Sequence, residues 1–248
     1  MNHRPAFATA SLAALVLSGC ASAPPGGASA TALDKYVGAL TAPQQLEPIP
    51  GQAGAYRWLA ADANLKKYNK VILDRIQVRI ADDAENKSLD PIALAALVEF
   101  FRQSIVTALG SRYPVVEHSG SDVLEVRITL VDIVPNNVAL TGGLTVVAGP
   151  IATVMVSEIS GEPKGAAPYM GRTAVAAEFL DSQTGRLIGE YGDTQFGQQY
   201  SFDQSGSSFA QANLKGTENS FSKWSYVHQA FDVWAKQFRV RLDQAHGQ

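Results

Sequence analysis

Two stretches of this chain alternate apolar and polar residues, and two others carry apolar residues at helical spacing. In 71–80, VILDRIQVRI, one face collects Ile72, Ile76, Val78 and Ile80 and the other Arg75, Gln77 and Arg79. That alternation predicts a strand, with Asp74 out of pattern on the apolar face. Residues 123–134, VLEVRITLVDIV, set Leu124, Val126, Ile128 and Leu130 against Glu125, Arg127 and Thr129, a second half-buried strand. Between them, Asp90 and Pro91 open a helix that Gly110 closes, and Leu94, Leu97, Val98, Phe101, Ile105 and Ala108 or Leu109 fall on one stripe. RTAVAAEFLDSQTGRLIGEYGD, 172–193, reads as a hairpin turning at Asp181 to Gly185, with Gly185 free to take a positive φ. A closing helix from about Phe221 to Leu242 carries Trp224, Val227, Phe231, Trp234, Phe238 and Leu242 as its apolar stripe.

This order predicts an α+β fold: a mixed sheet of about four to five strands with two amphipathic helices packed on one face. A right-handed crossover through the first helix makes strands 71–80 and 123–134 parallel. The hairpin is too compact for a fully parallel, doubly wound sheet.

The N-terminal end follows different rules. Arg4 is followed by an uncharged apolar run, Ala6 to Leu17, too short to cross a bilayer, since a spanning helix needs about 20 residues. Leu17-Ser18-Gly19-Cys20 then resembles the lipobox of bacterial lipoproteins. That resemblance implies a signal peptide over 1–19, a diacylglycerol on the sulfur of Cys20 and an acylated new amino terminus. Ala21 in place of Asp favours the outer membrane by the same resemblance, which places the domain in the periplasm. Cys20 is the single cysteine, so its lipidation leaves no thiol for a disulfide, a metal or catalysis. Residues 20–53 read as a disordered Ala/Pro/Gly/Ser-rich tether and a loosely held lead-in, 54–244 as one domain, and 245–248 as a tail. No later segment is read as a membrane helix.

As a set, these residues are similar to a bacterial lipoprotein family known only as a domain of unknown function, number thirty-three thirteen. The resemblance rests on the lipobox, AYRWLAADANLKKYNKVILDRIQV at 55–78, VDIVPN at 131–136, AAEFLDSQTGRLIGE at 176–190 and KWSYVHQAFDVWAKQFRVRLDQ at 223–244. It covers about Tyr36 to Gln244. One departure is Arg75, where the family usually has a proline. The family implies no activity and no catalytic residue.

Charge and motifs narrow the chemistry. The formal charge of −3 becomes −4 once residues 1–19, with Arg4 and no acid, are removed, so nucleic acid is not an expected partner. His118-Ser119-Gly120-Ser121-Asp122 holds the residue types of a hydrolase triad, but too close in sequence to form one; a polar turn explains it better. His228 borders the stripe of the closing helix. A hydrolase using His118 or His228 is therefore the weakest of three readings. Asp82, Asp83 and Glu85 read as a solvated turn, and no metal, cofactor or catalytic residue is expected. TGGLTVVAGPIATVMV, 141–156, carries no charge: it either covers the sheet or meets a partner. Residues 195–216, polar with scattered aromatics, read as a long loop suited to the same role. The leading expectation is a non-catalytic outer-membrane lipoprotein with a binding or assembly role. The alternative is a subunit of an oligomeric export complex.

Overall fold

The computed structural model describes residues 33–79, 89–137, 171–197 and 223–248. Strands β1 (Glu47–Pro48), β2 (Tyr56–Leu59), β3 (Lys70–Leu73) and β4 (Gln77–Val78) precede helix α1 (Pro91–Leu109). Strands β5 (Val123–Val134), β6 (Arg172–Asp181) and β7 (Leu187–Phe196) follow, and helix α2 (Ser225–Ala245) closes the chain. The seven strands form one mixed, open sheet in the order β1-β2-β7-β6-β5-β3, with β4 also on β5. All neighbours are antiparallel except β3 and β4, which run parallel to β5 across the α1 crossover.

The strong patterns became the expected elements. The Asp90 carboxylate accepts the Ile92 amide at 3.1 Å, Pro91 fills the first turn, and Gly110 ends α1 at φ +57°. Gly185 closes the hairpin at φ +70°. Leu97, Phe101, Ile105 and Leu109 of α1 and Val227, Phe231, Trp234 and Leu242 of α2 share one core with Val71, Leu124, Val126 and Leu130 of the sheet. Phe101 and Phe231 stack at 4.4 Å where the helices meet. Arg239 of α2 donates to the carbonyls of Ala108 and Leu109 at 3.2 and 3.0 Å, satisfying the last turn of α1.

Four features differ from expectation. The sheet has seven strands, because the predicted strand 71–80 is split into β3 and β4 and because β1 and β2 add to the far side. The split falls at Asp74–Ile76, where the out-of-pattern Asp74 and the family's proline position, here Arg75, lie together. Second, α1 is long and apolar enough to cross a membrane by length and mean hydropathy, 1.6 over 19 residues. Leu97, Phe101, Ile105 and Leu109 are buried against α2 and the sheet, while Ile92 at its start is 80% exposed among the described residues. Third, the stretch expected to be a loose lead-in is packed: Tyr36, Leu40 and Leu46 are buried on the other face of the sheet with Val131, Ala174 and Ala176. Fourth, α2 runs to Ala245, and His246, placed in the tail by sequence, lies 5.5 Å from the Tyr113 ring with Nδ1 3.3 Å from its hydroxyl.

The sheet is thus covered by a helix pair on one face and by the strap 33–46 on the other. Two irregularities allow this. The β5–β6 register shifts between Leu130 and Asp132, so that Val131 faces the strap by ordinary alternation while Ile133 is brought back to the helix side with Leu130. A second shift between Phe179 and Leu180 leaves Ile188 out of the pairing and turns it to the helix side.

Candidate functional site

Of the residues singled out by sequence, Cys20, Asp82, Asp83 and Glu85, all of 141–156 and 198–216 lie outside the described residues. His118 is exposed in a bend. The turn it belongs to is held by Ser182, whose Oγ accepts the Gly120 amide at 3.1 Å, and by Lys70, 2.9 Å from Asp122 Oδ2. His228 is half-buried and stacked on Phe100 at 4.2 Å. Burial lowers its pKa, and Asp232 one turn on opposes that shift. Ser104 does approach Asp232, but it donates directly to the carboxylate at 2.8 Å. A serine nucleophile needs its proton taken by the imidazole, and among the described residues none is hydrogen-bonded to His228. Among the described residues, no group of three or more His, Cys, Asp or Glu is placed to hold a metal ion.

The site that sequence reasoning missed is built from the hairpin and the strap. The turn and the bulge at Ile188 together set a register that puts Glu178 of β6 directly opposite Glu190 of β7, both on the strap face. Glu178 Oε1 accepts the amide and the hydroxyl of Thr41 at 2.8 and 2.6 Å. Glu190 Oε1 accepts the amide of Ala42 at 2.8 Å. Glu190 is 1% exposed, and its Oε2 is buried without a partner among the described residues. Burial raises the pKa of Glu190, and the charge of Glu178 adds to the rise. Beside this pair the Tyr36 ring lies over Gly192; a Cβ there would sit 2.7 Å from Tyr36 Cζ. The Tyr36 hydroxyl is 3.4 Å from Thr194 Oγ1, which also accepts Lys35 Nζ at 2.8 Å. Burial raises that hydroxyl's pKa as well. Two carboxylates on consecutive amides, beside an aromatic ring cradled on glycine, hold the strap between its two short 3-10 turns, 34–36 and 43–45.

On the helix face of the same strand, Asp193 anchors α2. Its Oδ2 accepts the Trp234 indole at 2.7 Å, the Gln195 amide at 2.8 Å and the Tyr191 hydroxyl at 3.1 Å. Arg241 lies over the Tyr191 ring at 4.2 Å. The apolar stripe of α2 placed Trp234 in the core; nothing in the stripe showed that its N–H would bind a buried acid.

Four chain ends meet at the end of the sheet nearest these residues. Val134, Arg172 and Phe196 are cross-strand partners. Gly197 N donates to Gly171 O at 2.8 Å, and Asn136 N to Lys223 O at 3.0 Å. Segments 138–170 and 198–222 therefore leave and rejoin the described structure within one small area. The strap enters at the same end, through Lys35 and Tyr36 on Thr194, and Arg79 fastens it by donating to Val37 O at 2.6 Å. A separate open groove of about 1040 Å³ lies between β3, β4 and α1, floored by Leu73, Ile76, Val78, Leu94 and Val98 with Arg75 and Arg102 at its rim.

Residues 35–238 match the family described as "Protein of unknown function (DUF3313)". The chain belongs to this family. The DUF3313 match takes in the strap from Lys35, both glutamates of the carboxylate pair and α2 as far as Phe238. No curated protein matches the chain. Among solved structures, two crystals of a PelC dodecamer from Paraburkholderia phytofirmans match at 8% and 6% identity with TM-scores of 0.32 and 0.31, each covering 72% of this chain and 95% of theirs. A DUF4136 family protein from Bacteroides thetaiotaomicron matches at 12% identity and a TM-score of 0.31, over 76% of this chain and 95% of its own. All three are distant likenesses.

Proposed function

We propose that this DUF3313 chain is an outer-membrane lipoprotein, anchored through Cys20, whose periplasmic domain has a non-catalytic binding or assembly role in the envelope. The proposed partner surface is the end of the sheet from which 138–170 and 198–222 emerge. The supporting observation is the meeting of chain ends there: Asn136 bonds Lys223, Gly171 bonds Gly197, and the strap that follows the tether packs two to three residues away on Thr194. The chain has no charge in 141–156 to oppose contact with an apolar partner.

Val147→Asp tests the role of that stretch. If 141–156 meets a partner, the variant keeps the wild-type melting temperature and loses association, read by light scattering and matched pull-downs. If the stretch covers the sheet, the variant unfolds, because a buried unpaired charge is costly. Unfolding would overturn the proposed surface and leave the anchor untouched.

A further inference from the structure

The strap is covalently part of the domain, yet it is held as a bound peptide would be. Its backbone amides at Thr41 and Ala42 are received by side chains, and its Tyr36 ring fills a space that exists because residue 192 is glycine. The receiving carboxylates carry like charges on directly opposed positions of neighbouring strands, an arrangement that is destabilising while both are ionised. Glu178 is half exposed and keeps water on one side. Glu190 is sealed under the strap, with one oxygen on the Ala42 amide and the other without a partner among the described residues. A buried carboxylate oxygen without a donor is costly when charged and much less so when protonated.

We propose that the strap is a proton-linked latch, in which Glu190 takes a proton from solvent onto Oε2 as residues 39–46 dock and returns it when they lift. The proposal does not depend on lipid at Cys20. The charged groups around Glu190 agree with it. From β6 it faces Glu178. Beyond Glu178 on β5 lies Arg127, which is turned to Glu125 and Asp74. From β2 its neighbour is the neutral Trp58, and the strap brings no charge between Ala39 and Leu46. Among the described residues, no cation therefore offsets Glu190 from an element packed on it. Burial under the strap raises its pKa and outweighs the opposing pull of the strap's own Ala42 and Thr41 amides, so the net shift is the one a docked latch requires. With the strap lifted, Glu190 is solvated and titrates in the ordinary carboxylate range. The docked state then binds more protons than the lifted state as pH rises above about 4.3, and docking weakens over that window.

Hydrogen exchange of the full chain, followed by mass spectrometry from pH 4.5 to 8 and corrected for chemical exchange, reads this directly. The strap peptide should lose protection as pH rises, by up to about tenfold per pH unit for one linked proton. The α2 peptide should stay constant and report the fold. Glu190→Gln, a neutral carboxamide of the same shape, should hold the strap's protection flat with pH. Glu178→Gln should shrink the slope and keep it. A flat wild-type profile overturns the latch. So does a wild-type slope in Glu190→Gln, or a slope abolished by Glu178→Gln alone.

Discussion

At the scale of residues, the sheet face beneath the strap depends on one missing side chain. Gly192 lets the fully buried Tyr36 lie on β7, and a Cβ would stand 2.7 Å from a ring held on all sides. Gly192→Ala should cost about 1–3 kcal/mol as overpacking, and Tyr36→Ala about 3–5 kcal/mol as a buried cavity. The double variant should be no less stable than Tyr36→Ala alone, because the clash goes with the ring. Denaturant unfolding of the three variants checks this; additive losses would show that the two residues do not meet. On the helix face, Trp234→Phe keeps most of the packing and removes a donor from Asp193, so it should cost about 1–3 kcal/mol. Two acids should respond to pH in opposite senses. Lys67 holds the Asp181 carboxyl below its usual range, with Thr184 and Tyr68 assisting, so its stabilisation is present at neutral pH and lost in acid. Glu190 is raised, so its contribution is greatest in acid and falls as pH rises. Asp181→Asn should therefore destabilise at pH 7 with little effect in strong acid. Glu190→Gln should stabilise at pH 7 and be neutral near pH 4, read as melting temperatures.

At the scale of elements, the sequence was legible wherever one periodicity ran long enough to dominate. Strand β5, helix α1, the hairpin and α2 each carry such a run, and α1 also shows its limits in Asp90, Pro91 and Gly110. Asp90→Ala should cost about 0.5–2 kcal/mol, since it leaves the Ile92 amide without its carboxylate; a melting temperature equal to wild type would show the cap is idle. Strand β2 was missed because YRWL is only four residues long: Tyr56 and Trp58 share the covered face, but two positions a side, with Leu59 exposed beside Arg57, make too short an alternation to read. Asp74 did signal the break between β3 and β4, but as a flaw in a strand and not as its end. The strap was missed because its Ala and Pro content resembles that of a tether. Its anchors, Tyr36, Leu40 and Leu46, are too widely spaced to form a pattern. The carboxylate pair could not be counted out from the turn: plain register from Asp181 and Arg186 sets Glu178 against Gly189, and only the bulge that leaves Ile188 unpaired brings Glu190 opposite. What register could not show was that the face was covered.

At the scale of the whole molecule, a three-layer domain brings Asn136, Gly171, Gly197 and Lys223, which flank 138–170 and 198–222, to the same end as the start of the strap. The strap is the link between that end and residues 1–32, so whatever holds the N-terminus also pulls on Tyr36 and the carboxylate pair. The central claim is that a lipid on Cys20 does the holding. The most direct measurement is the mass of the tryptic N-terminal fragment, ending at Lys35, from protein purified out of the membrane fraction. The expected fragment begins at Cys20 and carries diacylglycerol on its sulfur and an acyl chain on its amino group. An unmodified fragment beginning at Ala21 or later, or one that still begins at Met1, would contradict that claim.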